Sequence, residues 1–514
     1  QSHGDQPSLR ASEIDIFRSD AVTFHPLASV PGPKLAAATW LYEGYYEVVL
    51  GGQYFKRMKE MHEQYGPVVR INPNEVHFND PDFIDTLYPV GGRKTDKPIM
   101  VGHRTGTPNS IVATVDHHMH RLRRNSINGF FSIASIRRVE PMIAEKLEKM
   151  LARWNQGAGK DGLVLQMHTV FKAYASDIIT TYAFGDSFHF LDQDDWGSSY
   201  FTSTDKYFNL THIFGQWPLT MKIVNNLPTW VLGIFIPNLT EMSSKQSWWV
   251  NRVRQIRTSP NPDEIKSTIF EGILSSSLPP EEKTDARMAA DAQLVGLAGE
   301  GTTGKLTPSA YTLSATLFEL LSHPDEYKKV KDEITAAVGD KDRVPTYAEI
   351  ETLPQFQAAI QESLRLHPGV MSRMARISPE ADIVYSNKRT GATYRLPPGT
   401  WYSMSTYITQ TDPEVFVKPL EFRPQRWIDN PLLSRSFIAF ARGSRNCVGQ
   451  YFARREMGMV LATIINRYDV YRGQEGRTLE LYDTVRERDI VANSEMIIPM
   501  PAKGSHGLRI RVRR

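Results

Sequence analysis

The spacing of apolar residues along the chain predicts a mostly helical protein with a few short strands. Apolar positions recur every three or four residues in the helical stretches and every second residue in the extended ones. The predicted fold class is therefore mainly α with small β sheets. The helical stretches are 52–65, 164–270 and 280–322, and the alternating ones are 67–72, 75–78 and 481–514.

Two stretches without regular periodicity predict functional loops. Residues 91–115 are rich in Gly, Pro, Lys and Thr. A loop of this length within a compact domain is usually functional. Residues 493–496 are a second candidate, a loop between late strands that points back towards the interior.

Nothing in the sequence divides the chain into several domains. After a lead at residues 1–30, Pro31-Gly32-Pro33 forms a rigid breaker. No Gly/Ser-rich linker, low-complexity tract or repeat follows it, so we predict one domain over residues 31–514. No run of about 18 apolar residues occurs, so no segment of this sequence is predicted to span a bilayer.

Composition and charge exclude several classes of function. With 41% hydrophobic residues among 514, the chain can bury a large core and is not a disordered protein. The formal net charge of +3 is small and the basic residues form no dense stripe, so no nucleic acid is predicted as a partner. Cys447 is the only cysteine, which excludes an intrachain disulfide and any zinc site built from two or four thiolates.

The neighbours of Cys447 bear on its role. Three roles are open to a single cysteine: a buried apolar thiol, a catalytic nucleophile, or one axial thiolate on a metal. Gly443 and Gly449 allow tight turns close to a ligand, and backbone N–H groups in such a turn would stabilise a thiolate. Arg445 can pair with a carboxylate, and Phe440 can shield the sulfur from water.

The run from Phe440 to Gly449 follows the pattern Phe-x-x-Gly-x-Arg-x-Cys-x-Gly and resembles the haem-binding loop of the cytochromes P450. Residues 451–457 resemble the helix that follows this loop. The resemblance implies the cytochrome P450 fold and haem b (heme b, iron protoporphyrin IX) as the cofactor. It implies Cys447 as the metal ligand, a thiolate on the iron, with Phe440, Gly443, Arg445 and Gly449 binding the cofactor.

A second segment, residues 294–305, allows two interpretations. Gly299-x-x-x-x-Gly304-Lys305 nearly matches a phosphate-binding loop, but Leu306 stands where Ser or Thr would bind magnesium. No clear strand precedes the segment. The nucleotide-binding interpretation is therefore disfavoured.

The same segment resembles the P450 central-helix pattern Ala-Gly-x-(Asp/Glu)-Thr-Thr. The resemblance implies that Ala298 leaves room beside the cofactor and that Thr302 relays protons. The sequence departs from the pattern at the acidic position, where Gly301 stands. The acidic residue, Glu300, comes one residue earlier, which is about 100° around a helix. Thr302 and Glu300 are the predicted catalytic residues. The shifted acid weakens the case for hydroxylation and strengthens that for coupling, ring formation or desaturation.

His117 and His120 lie three residues apart in a predicted helix, and three interpretations stay open. Such a pair can bind a metal, or it can belong to a solvated basic helix face. By resemblance, His120-x-x-x-Arg124 takes the place of Trp-x-x-x-Arg in the P450 family. Both side chains would then reach a haem propionate, Arg124 through charge-assisted bonds. Arg376 is implied as a further propionate partner.

Glu362 and Arg365 share one helix face, and the leucines beside them indicate partial burial, where a paired charge needs further partners. The pair resembles the Glu-x-x-Arg pair of the P450 family, completed by Arg426. These three residues are predicted to be a structural triad behind the haem rather than catalytic groups. Residues 370–372 are predicted to border the substrate pocket.

Five arginines are predicted to gather on the thiolate side and to dock an acidic flavoprotein. By resemblance, electrons come from NADPH through a separate NADPH–cytochrome P450 reductase, and the protein acts as a monomer. The polar start at Gln1 resembles a microsomal member without its membrane anchor, which implies the cytosolic face of the endoplasmic reticulum membrane. The dock residues are Arg121, Arg123, Arg442, Arg454 and Arg455.

The sequence of residues 276–282, like that of the chain as a whole, resembles those of fungal P450 monooxygenases of secondary metabolism. This implies a lipophilic substrate, such as a terpenoid, polyketide or alkaloid intermediate, that is oxidised with dioxygen. Two alternatives stay open. A haem-thiolate isomerase or dehydratase that needs no reductase is favoured by Gly301, and a non-enzymatic haem carrier is disfavoured by Thr302 in an open pocket.

Overall fold

A computed structural model places most of the chain in helices, with four small sheets at their edges. It describes residues 23–104, 106–107, 109–158, 162–202, 209–220, 239–259, 268–300 and 308–514, and the single residues 223, 227 and 231. For residues 239–246 and 297–300 it gives the backbone alone. The predicted fold class, mainly α with small β sheets, is confirmed.

The longer helices carry most of the described chain. Short helices connect them at Lys34–Ala38, Leu41–Gly44, Ile84–Leu87, Ile99–His103, Ile133–Arg137, Thr211–Gln216, Ile269–Ser275, Tyr347–Ile350, Thr406–Gln410 and Gln425–Asp429. None of the described helices combines the length and the apolar character that crossing a bilayer requires. The longer ones are α1 (Tyr54–Tyr65), α2 (His117–Asn128), α3 (Glu140–Gly157), α4 (Met167–Phe184), α5 (Leu239–Thr258), α6 (Asp285–Glu300), α7 (Pro308–Ser322), α8 (Pro324–Val338), α9 (Pro354–Leu366) and α10 (Gln450–Arg467).

The strands pair across long sequence separations. They are β1 (Val68–Arg70), β2 (Glu75–Phe78), β3 (Leu163–Gln166), β4 (Arg376–Ile377), β5 (Ile383–Ser386), β6 (Thr393–Leu396), β7 (Trp401–Ser403), β8 (Asp469–Val470), β9 (Thr478–Leu481), β10 (Ser494–Met496), β11 (Ile498–Met500) and β12 (Arg509–Arg513). Their orders are β1-β2-β7-β4 and β3-β12-β9-β8, beside the hairpins β5-β6 and β10-β11. The pair β2–β7 is parallel, with Glu75 opposite Trp401.

Helix α4 runs through the centre of the main hydrophobic core. It is buried on nearly every side, including Phe171, Tyr174 and Ile178, and packs against α3, α6 and α7. A helix that is buried on nearly every side is stable only inside a large protein, so α4 needs neighbouring elements on all its faces. The same core continues into α10, the helix that follows Cys447.

Three predicted elements differ from the structure in detail. The stretch 91–115 contains the short helix Ile99–His103 and a bridge between Asp96 and Ile377, so it is not wholly irregular. Residues 493–496 enter the hairpin β10–β11 rather than a loop. Helix α6 begins at Asp285, because residues 280–283 form a separate 3₁₀ turn with two prolines at its start.

A buried cluster of charged residues joins the N-terminal part of the chain to the hairpin β10–β11. Glu47 lies in a π-helical turn, Tyr45–Val49, and its carboxylate is 3.3 Å from His212 Nε2. Arg104 lies 3.4 Å from the carboxylate of Glu495 and 3.9 Å from that of Glu47. All four of these side chains are buried, so their charges must balance within the cluster.

The three groups Glu47, His212 and Glu495 have the spacing of a metal site, with ligand atoms within 4.8 Å of one another. Arg104 donates to Nδ1 of His212 over 2.8 Å, so the hydrogen of this imidazole is on Nε2. Nε2 therefore has no free lone pair for a metal, and Arg104 would repel a cation. The cluster is better explained by a proton on Glu47, whose two oxygens have no hydrogen-bond partner among the described residues.

This cluster predicts a stability that falls as pH rises. Burial, and then the charge of Glu495, raise the pKa of Glu47 well above its ordinary value of 4.5. The folded protein therefore keeps a proton that the unfolded chain releases above pH 4.5. We expect Glu47→Gln to match the wild type near pH 4 and to become more stable than it at higher pH, with the gap growing by about 1.4 kcal/mol per pH unit until the folded group titrates.

Urea unfolding followed by tryptophan fluorescence at several pH values measures this gap. Glu60→Gln is the control, because Glu60 is 58% exposed beside Arg57. A gap for Glu47→Gln that does not change with pH would contradict the assignment of the proton.

Candidate active site

The loop before helix α10 holds Cys447 at its tip. Gly443 has φ of +73°, and a Cβ on it would lie 2.7 Å from the backbone oxygen of Tyr88. Only glycine fits this position, so the predicted tight turn at Gly443 is present. The backbone N–H of Cys447 donates to the carbonyl of Phe440 over 2.9 Å and closes the loop.

Gly449 does not have a backbone conformation that requires glycine. Its φ is −86°, which any residue adopts, and an added Cβ would only make an ordinary contact of 3.7 Å with Phe131. Its predicted place close to the cofactor stays a prediction. Gly449 caps helix α10, and its backbone N–H donates to the sulfur of Cys447.

The side chain of Cys447 is exposed, yet burial raises the pKa of its thiol, because protein atoms surround the sulfur on its other sides. The N–H of Gly449 and the charge of Arg124 act in the opposite direction, towards a lower pKa. A metal cation in front of the sulfur would complete the shift to thiolate.

Phe440 covers the thiolate side of the loop. It is partly buried, and the guanidinium of Arg454 lies over its ring, 5.0 Å from the centroid. This cation–π contact holds the ring between the loop and helix α10. The shielding of the sulfur by Phe440 stays a prediction.

His120, Arg376 and Arg445 come together next to the loop, although they are distant in sequence. The guanidinium of Arg445 donates to the carbonyls of Thr114 and Val115, each over 2.6 Å. Burial, and then the charges of Arg445 and its cationic neighbours, including Arg376, lower the pKa of His120 to about 2. Within the described residues, no carboxylate forms an ion pair with Arg376 or Arg445. This group therefore has positive charge available for an anion.

Arg124 also lies near His120, whose pKa its charge lowers, but its guanidinium is bound by Asn446 and Asn128. Its guanidinium donates to the backbone carbonyl of Asn446 and, over 2.9 Å, to the side-chain oxygen of Asn446. Its Nε donates to Asn128 over 3.0 Å. Arg124 thus fixes the residue beside Cys447, and its predicted bond to a propionate stays a prediction.

The triad lies behind the loop as a complete buried network. Arg365 donates twice to the carboxylate of Glu362, each time over 2.8 Å, and both side chains are fully buried. Arg426 donates to the same carboxylate over 3.0 Å, and the indole of Trp427 over 2.9 Å. Burying this pair requires the further donors, which the sequence analysis predicted for Arg426 but not for Trp427.

Gln410 connects this network to the cysteine loop. Its amide nitrogen donates to the carbonyls of Leu364 and Arg365 over 3.2 and 3.1 Å. Its amide oxygen accepts from the backbone N–H of Ile438 over 2.8 Å. Because residue 438 begins the approach to Cys447, the end of helix α9 sets the position of the loop.

The predicted catalytic segment is described only in part. Thr302 lies outside the described residues, together with the rest of 301–307. Ala298 and Glu300 belong to the last turn of helix α6, of which the backbone alone is described.

A groove of about 820 Å³ opens on the thiolate side between helix α2 and the cysteine loop. No Asp or Glu is among the described residues that line it. Its cationic members interact with neutral partners, as Arg442 does with the carbonyl of Ser434 over 2.9 Å. The cationic and imidazole side chains of the groove are Arg93, His117, His120, Arg121, Arg124, Arg442 and Arg454.

Two of the five predicted dock arginines are not available at this groove. Arg123 binds both carboxylate oxygens of Glu282 over 2.6 and 2.8 Å. Arg455 is buried 3.0 Å from a carboxylate oxygen of Glu140. The prediction for these two residues is wrong, because acidic partners distant in sequence pair with them. The groove keeps Arg121, Arg442 and Arg454.

Two residues of the site were missed at the level of sequence. Asn446 orients Arg124, and Lys97 lies beside Arg376 and Arg445, whose charges affect its amine. The position of Asn446 next to Cys447 could have indicated its role. Nothing in the sequence indicates the role of Lys97, because only the fold brings it close to Arg376 and Arg445.

Comparison with known proteins agrees with this site. The sequence profile of the cytochrome P450 family matches residues 31–487. A cytochrome P450 monooxygenase (tpcC) of Cochliobolus heterostrophus is 33% identical over 95% of this chain and 92% of its own. A tryptophan 6-hydroxylase (fscE) of Fusarium equiseti is 34% identical over 96% of this chain and 93% of its own. A cytochrome P450 monooxygenase (sdnE) of Sordaria araneosa is 34% identical over 95% of this chain and 94% of its own.

The chain belongs to the cytochrome P450 family and is a haem-thiolate monooxygenase. The predicted P450 fold and the resemblance to fungal members are confirmed. The family implies haem, electrons from a redox partner and a lipophilic substrate.

The described residues fit haem b. A single exposed thiol with a backbone donor directed at its sulfur suits a thiolate ligand to iron. Arg376 and Arg445, neither of which forms an ion pair with a carboxylate of the described residues, suit the two propionates of the porphyrin. The donor set thus matches both ends of the cofactor.

The triad predicts a large loss of stability for Arg365→Lys. A lysine can neither make two parallel bonds to Glu362 nor reach the carbonyls of Gln410 and Pro419, which Arg365 binds over 2.8 and 2.7 Å. We expect the free energy of unfolding in urea to fall by about 3–5 kcal/mol.

Lys328→Met is the matched control, since it breaks a pair whose members are 74% and 64% exposed, and should change the stability by under about 1 kcal/mol. If Arg365→Lys does not fold, Trp427→Phe removes a single donor from Glu362 and should cost about 1–3 kcal/mol. Equal effects in the control and the core variants would contradict the assigned network.

Proposed function

We propose that this protein binds haem b through Cys447 and oxidises a lipophilic intermediate of fungal secondary metabolism with dioxygen. The observation that carries the proposal is the single exposed thiol of Cys447, with the N–H of Gly449 directed at its sulfur and the cations Arg376 and Arg445 beside its loop. The proposal covers residues 31–514 as one catalytic domain after a lead at 1–30. The relatives, fungal monooxygenases that include a tryptophan 6-hydroxylase, support the oxidation but leave the substrate open.

The residues of the loop would hold the cofactor from one side. When bound, a haem iron with a thiolate ligand supplies the activation of dioxygen for insertion into a substrate bond. Cys447 would bind the iron while the N–H of Gly449 stabilises its negative charge. Phe440 would shield the sulfur from water on the same side. Arg376 and Arg445 would bind the propionates.

The proton route is proposed from the sequence alone. The segment at the end of helix α6 supplies Thr302 as a hydroxyl that passes protons and Glu300 as the nearby acid, with Ala298 leaving space beside the cofactor. Because the acid is shifted by one residue, we propose that oxidation includes coupling, ring formation or desaturation as well as hydroxylation.

The substrate pocket is proposed to lie between residues 370–372 and the hairpin β10–β11. The carbonyl of Ile497, at the hairpin turn, accepts from the backbone N–H groups of Met371 and Ser372 over 2.9 and 3.1 Å. Val370 is 37% exposed beside the buried Met371. An exposed apolar side chain next to the core is a suitable contact for a lipophilic substrate.

We propose NADPH–cytochrome P450 reductase as the electron donor, bound at the cationic groove by a monomeric protein. The groove combines Arg121, Arg442 and Arg454 with no acidic lining residue in the described part of the chain. Complementary charge of this kind accelerates association. By family analogy we place the protein on the cytosolic face of the endoplasmic reticulum membrane, held by an N-terminal anchor.

The absorption spectrum of the reduced protein under carbon monoxide tests the central proposal. We expect a Soret band at the long-wavelength position of thiolate ligation, because Cys447 supplies the only thiol of the chain. Cys447→Ser should lose that band while Phe440→Leu keeps it. A wild-type Soret band typical of imidazole ligation, or the absence of haem from the purified protein, would contradict the proposed function.

Charge reversal at the groove tests the dock. We expect Arg121→Glu and Arg442→Glu to slow reductase-driven reduction about tenfold or more at low salt, and to leave peroxide-driven turnover unchanged, since only the partner's approach is affected. Lys388→Glu is the control, because Lys388 is 78% exposed and lies outside the groove. Stopped-flow reduction measures the rate. Equal losses in both reactions would rule out a docking role, and turnover without reductase, dioxygen or peroxide would favour an isomerase or dehydratase.

A further inference from the structure

Helix α10 buries one carboxyl group without a counter-charge, that of Glu456. The side chain is 2% exposed and belongs to the helix that follows the cysteine loop. Its atom Oε1 has no hydrogen-bond partner among the described residues, and no described cation forms an ion pair with the group. An ionised carboxylate at this depth is costly. Burial therefore raises the pKa of Glu456 to about 8.

The group that helix α4 places near Glu456 is the phenol of Tyr174, which is also without a partner. Its ring is fully buried, and its hydroxyl has no hydrogen-bond partner among the described residues. Burial, and then the charge of Glu456, raise the pKa of Tyr174 well above its ordinary value. The phenol therefore stays neutral and supplies no counter-charge to the carboxyl group.

The arginines on either side of Glu456 along helix α10 pair with carboxylates of helix α3. Arg455 lies 3.0 Å from a carboxylate oxygen of Glu140. Arg467, at the end of α10, donates to both carboxylate oxygens of Glu148. Both arginines thus compensate other acids, and neither affects the pKa of Glu456.

The other elements that pack against α10 bring no charge to Glu456 either. Tyr327 and Lys331 of α8 donate to the carbonyl of Tyr468 beyond the far end of α10, and Glu319 of α7 pairs with His367. Burial is the cause of the raised pKa of Glu456, and none of these groups adds to it. The remaining ionisable groups of α10 and of the two short helices packed against it are Arg137, Tyr347, Glu349, Tyr451 and Arg454.

Glu456 lies on the side of α10 that carries the donor to the thiolate. It stands seven residues after Gly449, whose N–H donates to the sulfur of Cys447. Seven residues make nearly two turns, so both positions share one helix face, about 10 Å apart along the axis. Helical side chains lean back towards the N-terminus, so the carboxyl of Glu456 leans towards the cysteine loop. Phe452 and Ala453 lie between them, so the intervening medium is apolar.

We propose that Glu456 binds a proton when the iron on Cys447 receives an electron, and that electron acceptance therefore depends on pH. The proposal rests on the proposed function, because it requires iron on Cys447. The electron comes from the reductase and converts Fe(III) into Fe(II). The proton comes from water and converts the carboxylate of Glu456 into a carboxylic acid, so the net charge of the site stays constant.

The distance between the two groups is short enough for such coupling. At about 10 Å and an effective dielectric constant of about 20, one added charge changes the proton dissociation constant of Glu456 roughly tenfold. Coupling between two bound species is reciprocal, so an ionised Glu456 weakens the binding of the electron by the same factor. Near neutral pH the protonated carboxyl opposes no electron, and its ionisation at higher pH does.

The reduction potential of the holoprotein, measured by redox titration between about pH 6 and pH 10, tests the proposal. We expect the wild-type potential to be constant below about pH 7 and to become more negative as the pH rises through about 8, where the carboxyl ionises in the oxidised protein. Glu456→Gln should keep the low-pH potential of the wild type throughout, because its amide does not ionise. Glu148→Gln is the matched control, since Glu148 is 48% exposed and pairs with Arg467 at the far end of α10.

Infrared difference spectra of the wild type supply a measurement that does not depend on the folding of a variant. Reduction at about pH 8 should add the C=O stretching band of a protonated carboxylic acid, and the band should shift in heavy water. Glu456→Gln should lack this band. A purely structural role of Glu456 would change stability in Glu456→Gln, but neither the pH dependence of the potential nor this band.

The outcomes separate this proposal from the proposed function. A wild-type potential that does not change with pH would overturn the role of Glu456, and so would an equal change in the wild type and Glu456→Gln. A wild-type carbon monoxide band at the thiolate position would in both cases leave the role of Cys447 intact. A wild type without that band would remove the proposed function itself.

Discussion

Four groups donate to one buried carboxylate, that of Glu362, and the position of the cysteine loop depends on them. Arg365, Arg426, Trp427 and the backbone N–H of residue 423 fill its acceptor sites. An isolated carboxylate at this depth would be too costly to ionise, so the donors must be present together. Gln410 links this network to the cysteine loop, because its side chain binds the carbonyl of Leu364 and the backbone N–H of Ile438. From Ile438 the chain continues towards Cys447.

The sequence was sufficient for the parts of the fold that local spacing defines. The helical pattern, the Glu362–Arg365 pair and the left-handed turn at Gly443 follow from residues a few positions apart, and the structure contains all three. Gly449 in the same loop could not be interpreted from sequence. A glycine in a motif can be present for its backbone conformation or for its lack of a side chain, and the sequence does not distinguish the two.

The partners of individual cations could not be predicted. Helix α2 carries Arg121, Arg123 and Arg124 within four residues, and their side chains have different surroundings. The first is exposed, the second pairs with Glu282, and the third holds Asn446. Which one turns inward depends on residues more than a hundred positions away, whose location is known only once the helices have packed. Lys97 escaped notice for the same reason.

The contact between Gly52 and the hairpin β10–β11 has a consequence for how the chain is made. A Cβ on Gly52 would lie 2.2 Å from the backbone oxygen of Glu495, and Gln53 donates to the carbonyl of Asn493, 440 residues later. At a synthesis rate of about 5–20 residues per second, the N-terminal side of this contact leaves the ribosome roughly 20–90 s before the other. During that interval Glu47 remains hydrated, so the charged cluster closes only after the last hairpin is available, as a late step in the maturation of the enzyme.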